Sequence, residues 1–117
     1  MAKDAITIFH NPNCGTSRKV LAALRERGVE PTVVEYLKAG WTRPQLQNLL
    51  KAMNARPRDI LRTRGTPAET LGITTESGDD KILAAMVAEP ILVERPIVVT
   101  PKGTALCRPP EKLEALL

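Results

Sequence analysis

Apolar and polar positions along the chain change period several times, and each change marks an element. Ala5 to Phe9 reads Ala-Ile-Thr-Ile-Phe, a short β-branched apolar run that predicts a first strand. It breaks at His-Asn-Pro-Asn-Cys-Gly, residues 10–15, a stretch dense in turn formers. From Ser17 to Arg27 the apolar residues fall at Val20, Leu21 and Leu24, the spacing of one helix face. Thr16 or Ser17 is the expected N-cap and Gly28 the expected stop. Thr32 to Leu37 predicts a second strand. Strand, turn, helix and strand in this order form a βαβ unit, whose strands pair in parallel.

The middle of the chain reads as helix. A segment beginning at Thr42 or Arg43 has Pro44 in its first turn, where proline is tolerated, and an apolar stripe of Leu46, Leu49, Leu50 and Met53. A short helix is expected around Pro57 to Leu61. Another is expected over Asp79 to Ala88, with Ile82, Leu83 and Met86 inward and Pro90 just beyond its end. Then β character returns. Pro96 to Thr100 and Thr104 to Cys107 flank the turn Pro101-Lys102-Gly103 and predict a hairpin. Pro109 or Pro110 opens a last helix carrying Leu113, Leu116 and Leu117. The order is β-α-β, a helical insert, then β-β-α. No repeat, low-complexity tract or linker interrupts it, and a single domain over residues 1–117 is expected.

Composition narrows the class. Apolar residues make up 43% and charged residues 26% of 117, the balance of a globular domain with one core. Aromatics are limited to Phe9, Tyr36 and Trp41, so that core is aliphatic. No apolar run approaches the ~20 residues needed to cross a bilayer. Met1 to Asp4 carries no long hydrophobic region or cleavage signal, so a cytoplasmic, thiol-reducing setting is expected, with no membrane association. The net charge of +4 leaves nucleic acid or a small anion as partners. The basic residues form no long block. Arg56, Arg64, Arg95 and Arg108 stand beside Pro or Gly, which suits a small anion better than a nucleic-acid backbone, and no nucleic-acid partner is expected.

Two cysteines, Cys14 and Cys107, and a single histidine, His10, fall short of the four ligands usual for zinc, and no metal is expected. Cys14 lies between a predicted strand and a predicted helix. There the free N–H groups and the positive dipole end favour an anion, so its thiol should be activated. The N–H groups of Gly15, Thr16 and Ser17 are also placed to hold an oxyanion substrate, and Gly15 permits close approach. One local structure thus serves nucleophile and substrate together. His10, four residues earlier, is expected either to tune Cys14 electrostatically or to hold the loop by hydrogen bonds. Spacing excludes two rivals. A dithiol motif needs cysteine where Ser17 stands, and a low-molecular-weight phosphatase loop needs arginine where Val20 stands. Cys14 must therefore pass its oxidising equivalents to an external thiol, or to Cys107 if that lies near.

These motifs together resemble the glutaredoxin-coupled arsenate reductases over nearly the whole chain. H-N-P-N-C-G-T-S-R at 10–18, E-P-T-V-V-E-Y-L at 30–37, R-D-I-L-R at 58–62, R-P-I-V-V-T-P-K-G-T at 95–104 and L-C-R-P-P at 106–110 follow the family's order. The resemblance implies an α/β, thioredoxin-like fold, βαβ plus ββα around a mixed four-stranded sheet, with a helical insertion. It implies three anion-binding arginines, Arg62, Arg95 and Arg108, and a cis proline facing the active cysteine at Pro96. Guanidinium forks suit tetrahedral oxyanions and stabilise a thiolate, which agrees with that assignment. Cys107 matches a family cysteine that is not the nucleophile. Similar arsenate reductases often continue past the final helix, whereas this chain stops at Leu117.

The implied activity is reduction of arsenate to arsenite through a Cys14 thiolate, with glutathione as co-substrate and glutaredoxin as partner, no bound cofactor, and a monomeric enzyme. Two other readings use the same scaffold. One is a glutathione-linked thiol reductase indifferent to arsenate. The other is a non-enzymatic polymerase-binding regulator, against which Ser17 counts, since such proteins commonly carry a C-x-x-C switch.

Overall fold

A computed structural model describes residues 6–117. Ala5 as the start of the first strand, and the Met1 to Asp4 segment, lie outside the described residues. Contacts divide the chain into two compact units, one running through Ala39 and resuming at Arg95–Leu117, the other spanning Gly40–Glu94.

In the first unit, β1 (Thr7–His10) leads through the cysteine loop into α1 (Gly15–Glu26) and on to β2 (Thr32–Glu35). β3 (Ile97–Thr100) and β4 (Gly103–Leu106) form the hairpin, and a 3-10 helix, Pro110–Leu116, closes the chain. The sheet order is β2-β1-β3-β4. β1 pairs parallel with β2, Thr7 opposite Thr32, and antiparallel with β3, Phe9 opposite Ile97. β3 and β4 are antiparallel, Thr100 opposite Gly103. This is the mixed four-stranded, thioredoxin-like arrangement. α1 lays Val20 and Leu24 on a core of Ile6, Ile8, Val98, Cys107, Leu113 and Leu116. The helix stops because Gly28 takes a left-handed φ of 78°, which lets Gly28 N–H reach Arg25 O (3.0 Å) and Val29 N–H reach Leu24 O (3.0 Å).

Two boundaries beside the cysteine loop and its neighbouring strand differ from the sequence expectation. α1 begins at Gly15 with Cys14 as its N-cap, not Thr16 or Ser17. The reason is local: Cys14 N–H already closes a turn onto Asn11 O (3.0 Å), and the Ser17 hydroxyl is drawn inward to other partners. β2 ends at Glu35 rather than Leu37, because Tyr36 opens the four-residue helix α2 (Tyr36–Ala39).

The second unit is the helical insert. α3 (Arg43–Met53) starts with a capping box: Gln45 N–H donates to Thr42 Oγ1 (3.2 Å) and Thr42 N–H donates to Gln45 Oε1 (3.3 Å). A 3-10 helix covers Pro57–Ile60 and α4 covers Asp79–Ala88, the span read from the sequence. The 60–62 and 92–94 segments are tied by Arg62 N–H to Leu92 O (2.7 Å) and Glu94 N–H to Ile60 O (2.8 Å). Arg62 itself belongs to this unit. Its Nη1 donates to Glu94 Oε1 at 2.8 Å, and both side chains are largely buried.

Candidate active site

The cysteine loop is fixed by hydrogen bonds on nearly every side. Asn11 is buried; its Oδ1 accepts from Asn13 N–H (2.9 Å), the side chain mimicking a backbone turn. Asn11 N–H donates to Ser17 Oγ (3.1 Å), and Ser17 Oγ lies 2.6 Å from His10 Nδ1. Outside, Arg18 Nη1 donates to Pro12 O (2.9 Å). His10, Asn11 and Ser17 are all nearly inaccessible to solvent, so each of these bonds replaces water that cannot reach the groups.

His10 is held below its ordinary range. Burial is the main cause; Glu35 pulls it the other way, while Arg25 and Arg18 add to the depression. The imidazole is therefore largely neutral at pH 7, and its Nδ1 is hydrogen-bonded to the Ser17 hydroxyl, which also accepts from Asn11 N–H. Of the two roles open to His10 in the sequence, this geometry supports loop-holding. His10 is not among the groups that set the charge on Cys14.

Cys14 sits at the mouth of α1, 7% exposed. Burial alone pushes its thiol up. The Ser17 backbone N–H, the Arg95 and Arg108 guanidinium groups and the nearby positive charge of Arg95 outweigh that, and the thiol is lowered to about 7. Arg108 Nη1 stands 3.7 Å from Cys14 Sγ and also donates to Arg95 O (3.3 Å). As N-cap, Cys14 is followed by Gly15, Thr16 and Ser17, whose N–H groups have no partner within the helix. The Arg95–Pro96 peptide is cis, as is Arg108–Pro109, so each arginine at the cysteine directly precedes a cis proline. Pro96 O accepts from Cys107 N–H (2.9 Å), tying the strand that carries Arg95 to the one that leads to Arg108.

The second cysteine has the opposite environment. Cys107 is fully buried in the aliphatic core, and burial pushes its thiol up to about 11, with Lys112 a small opposing influence. It is an inert core side chain at neutral pH.

The sequence model of the ArsC family matches residues 9–116, the Cys14 loop and the Arg95 and Arg108 segments included. The chain belongs to the ArsC family. An arsenate reductase of Synechocystis sp. is 52% identical over 118 residues, covering 100% of this chain and 82% of that protein. An Escherichia coli arsenate reductase is 46% identical over 113 residues, covering 96% of this chain and 80% of that protein. Among solved structures, the arsenate reductase of Vibrio cholerae superposes with a TM-score of 0.88 at 33% identity, over 96% of this chain and 97% of that one.

In this ArsC chain the first unit brings together Cys14, Gly15, Thr16, Ser17, His10, Arg95 and Arg108, with the cis Pro96 directly after Arg95. Sequence reasoning missed two buried members of the same cluster. Asn11 was read only as a turn residue and Tyr36 only as the end of a strand. Tyr36 is fully buried, and burial pushes its phenol up, with the nearby positive charge of Arg95 pulling the other way. Among the described residues no group of three or more His, Cys, Asp or Glu is arranged to hold a metal, and no helix is long and apolar enough to cross a membrane.

Proposed function

We propose that this protein is a cytoplasmic arsenate reductase that uses Cys14 as nucleophile and takes its electrons from glutathione and glutaredoxin. The observation that carries the reading is a thiol lowered to about 7 at a helix N-terminus, against Arg95 and Arg108. Nε and Nη1 of Arg95 support it: both are buried and make no hydrogen bond among the described residues. A buried N–H without an acceptor costs about 1–3 kcal/mol, and a multivalent oxyanion is the ligand that relieves it. Arg62 enters as a third arginine through the family resemblance alone.

The reaction balances as follows. The Cys14 thiolate attacks arsenic, an S–As bond forms, and one arsenate oxygen leaves as water with protons from the medium; arsenic remains pentavalent. Glutathione thiolate then attacks Cys14 sulfur. The S–As bond breaks with its electron pair on arsenic, which leaves as arsenite, and a Cys14–glutathione disulfide remains. Glutaredoxin reduces that disulfide and restores the thiol. The test is NADPH consumption in a mixture of glutathione, glutaredoxin and glutathione reductase. Arsenate-dependent consumption, lost in Cys14→Ser, is the expected result. A folded protein that reduces mixed disulfides at the same rate with or without arsenate overturns the assignment.

A further inference from the structure

Residues 62–77 of the insert form turns rather than a helix or strand, and part of this stretch encloses a recess of about 480 Å³, within the range of small-molecule sites. Its wall is held by hydrogen bonds. The Thr66 hydroxyl donates to Thr63 O (2.9 Å) and accepts from Ala68 N–H (3.3 Å). Ile73 N–H donates to Ala68 O (2.8 Å), and Gly72 N–H to Glu69 O (3.0 Å). Gly72 makes that last turn at a left-handed φ of 70°, and Ala68 and Ile73 anchor the loop as buried side chains. A recess framed in this way is formed before any ligand arrives.

Two opposite charges, Arg64 and Glu69, line it, and they make no ion pair with each other. Arg64 Nη2 lies 3.8 Å from Glu94 Oε2, too far for a hydrogen bond, and Glu94 already accepts from Arg62 at 2.8 Å. Among the described residues the Glu69 carboxylate has no hydrogen-bond or ion-pair partner. Thr63 and Thr75 add hydroxyl-bearing side chains to the lining. Opposite charges that share a recess without pairing select a ligand carrying both signs. A simple anion that satisfies Arg64 meets Glu69 as a like charge, and a simple cation meets Arg64 in the same way.

We propose that this recess binds the free α-amino-acid head of a small molecule, its carboxylate on Arg64 and its ammonium on Glu69. The guanidinium fork matches a carboxylate through two parallel N–H···O bonds, and the ammonium donates to the Glu69 oxygens. Arg64 is 70% exposed, so each contact is weak alone and the recognition lies in the two together. Two sources carry this head, a free amino acid and a γ-glutamyl peptide such as glutathione. The proposal stands apart from the arsenate reductase reading, and its test uses no turnover.

S-methylglutathione has the head and no reactive thiol. It is titrated into the full chain and followed by backbone amide NMR, with L-glutamine in parallel. Saturable shifts at Gly72 and Ile73 are expected, with a Kd of about 1 mM or tighter. N-acetylation of S-methylglutathione removes its ammonium, and conversion of its α-carboxyl to the amide removes the carboxylate; each should weaken binding about fivefold. The losses should map onto their residues. N-acetylation should cost nothing further in Glu69→Gln, and amidation nothing further in Arg64→Ala. Both side chains are exposed, so the thermal midpoints of the variants should stay at the wild-type value. Tighter binding of S-methylglutathione than of glutamine supports the proposal and assigns the recess to γ-glutamyl peptides; equal or weaker binding supports it and assigns the recess to free amino acids. Absence of saturable shifts in this loop, or an N-acetyl derivative that binds as well as its parent, overturns the proposal. Should a variant fail to fold, the derivative series on the wild-type protein decides by itself.

Discussion

Replacing Arg108 by Ala removes a guanidinium nitrogen 3.7 Å from Cys14 Sγ. At that distance a unit charge pair is worth about 1.1 kcal/mol in water and about 4.5 kcal/mol at an effective dielectric of 20. Water entering the emptied volume will solvate the thiolate and offset part of the loss, so the lower figure is the safer guide. It corresponds to a rise of about 0.8 in the pH at which half the thiol is ionised. With the wild-type thiol at about 7, roughly half is thiolate at pH 7. In Arg108→Ala that fraction falls about fourfold. Iodoacetamide alkylation followed against pH, with Cys107 replaced by Ser to leave one thiol, measures both quantities. Arg108→Lys should fall between the two, since it keeps the charge and loses the fork. A wild-type midpoint at or above 8.5, the value of a free thiol, would remove the activated nucleophile. An Arg108→Ala midpoint equal to wild type would place the lowering entirely on Arg95 and the helix, and the two-arginine account would be wrong.

Cys14→Ser should keep the fold and lose turnover, because a serine hydroxyl is a far weaker nucleophile at neutral pH; retention of a tenth of the activity would move the nucleophile elsewhere. Cys107→Ser, by contrast, should keep most of the turnover, and the wild-type protein should take up one alkyl group at pH 7, since a thiol at about 11 is almost wholly protonated there. Ser17→Ala orphans the buried Asn11 N–H and His10 Nδ1 together and should cost about 1–3 kcal/mol in a denaturant titration; a neutral result would mean the loop does not depend on that hydroxyl. His10 is lowered in the folded state, so the unfolded chain binds its proton first as pH falls below about 6.5. Its share of stability is present above that pH and is lost as pH falls toward the folded value. The thermal midpoint of wild type should drop across that window more than that of His10→Gln, and parallel curves would refute the linkage.

Much of the fold was legible because its elements are locally consistent. The run before the loop, the Val20–Leu24 stripe with Gly28 behind it, and the Asp79 to Ala88 helix all declare themselves by period and punctuation. The errors lie where tertiary partners decide. Ser17 has the composition of an N-cap, yet its hydroxyl is committed inward to Asn11 and His10, so the helix starts two residues earlier. Tyr36 and Leu37 are good strand formers, yet the chain turns into a helix at Tyr36 to enclose its ring. In the site, Cys14 was readable from its turn-to-helix context. Arg95 and Arg108 were not separable from other loop arginines by physics alone; Arg108 is 94 positions from the thiol it touches, and the family resemblance singled it out. Arg64, which looks similar in sequence, lies exposed near Glu94 in the insert. Tyr36 left no signal, because a lone phenol in a β-branched run reads as core.

The same donors that make the thiolate are the donors an oxyanion needs, and this sets the order of events in the proposed reaction. Before substrate binds, the Ser17 N–H and the two guanidiniums share one negative charge on Cys14 sulfur. As the S–As bond forms, that charge leaves sulfur and gathers on the arsenate oxygens. Donors that held sulfur are released to those oxygens within the same few ångströms, while the two unengaged nitrogens of Arg95 have their own need for acceptors. Positive charge is thus conserved around a negative charge that moves, and no side chain has to be reoriented as it does so. A histidinium beside the thiol would have served the first half only, since its proton would follow the charge. A neutral His10, locked to Ser17 and spent on holding the loop, leaves the fixed charges of Arg95 and Arg108 to serve both halves. In the proposed reaction the side chains of His10, Asn11 and Ser17 hold the loop, and Arg95, Arg108 and the Ser17 N–H serve the moving charge.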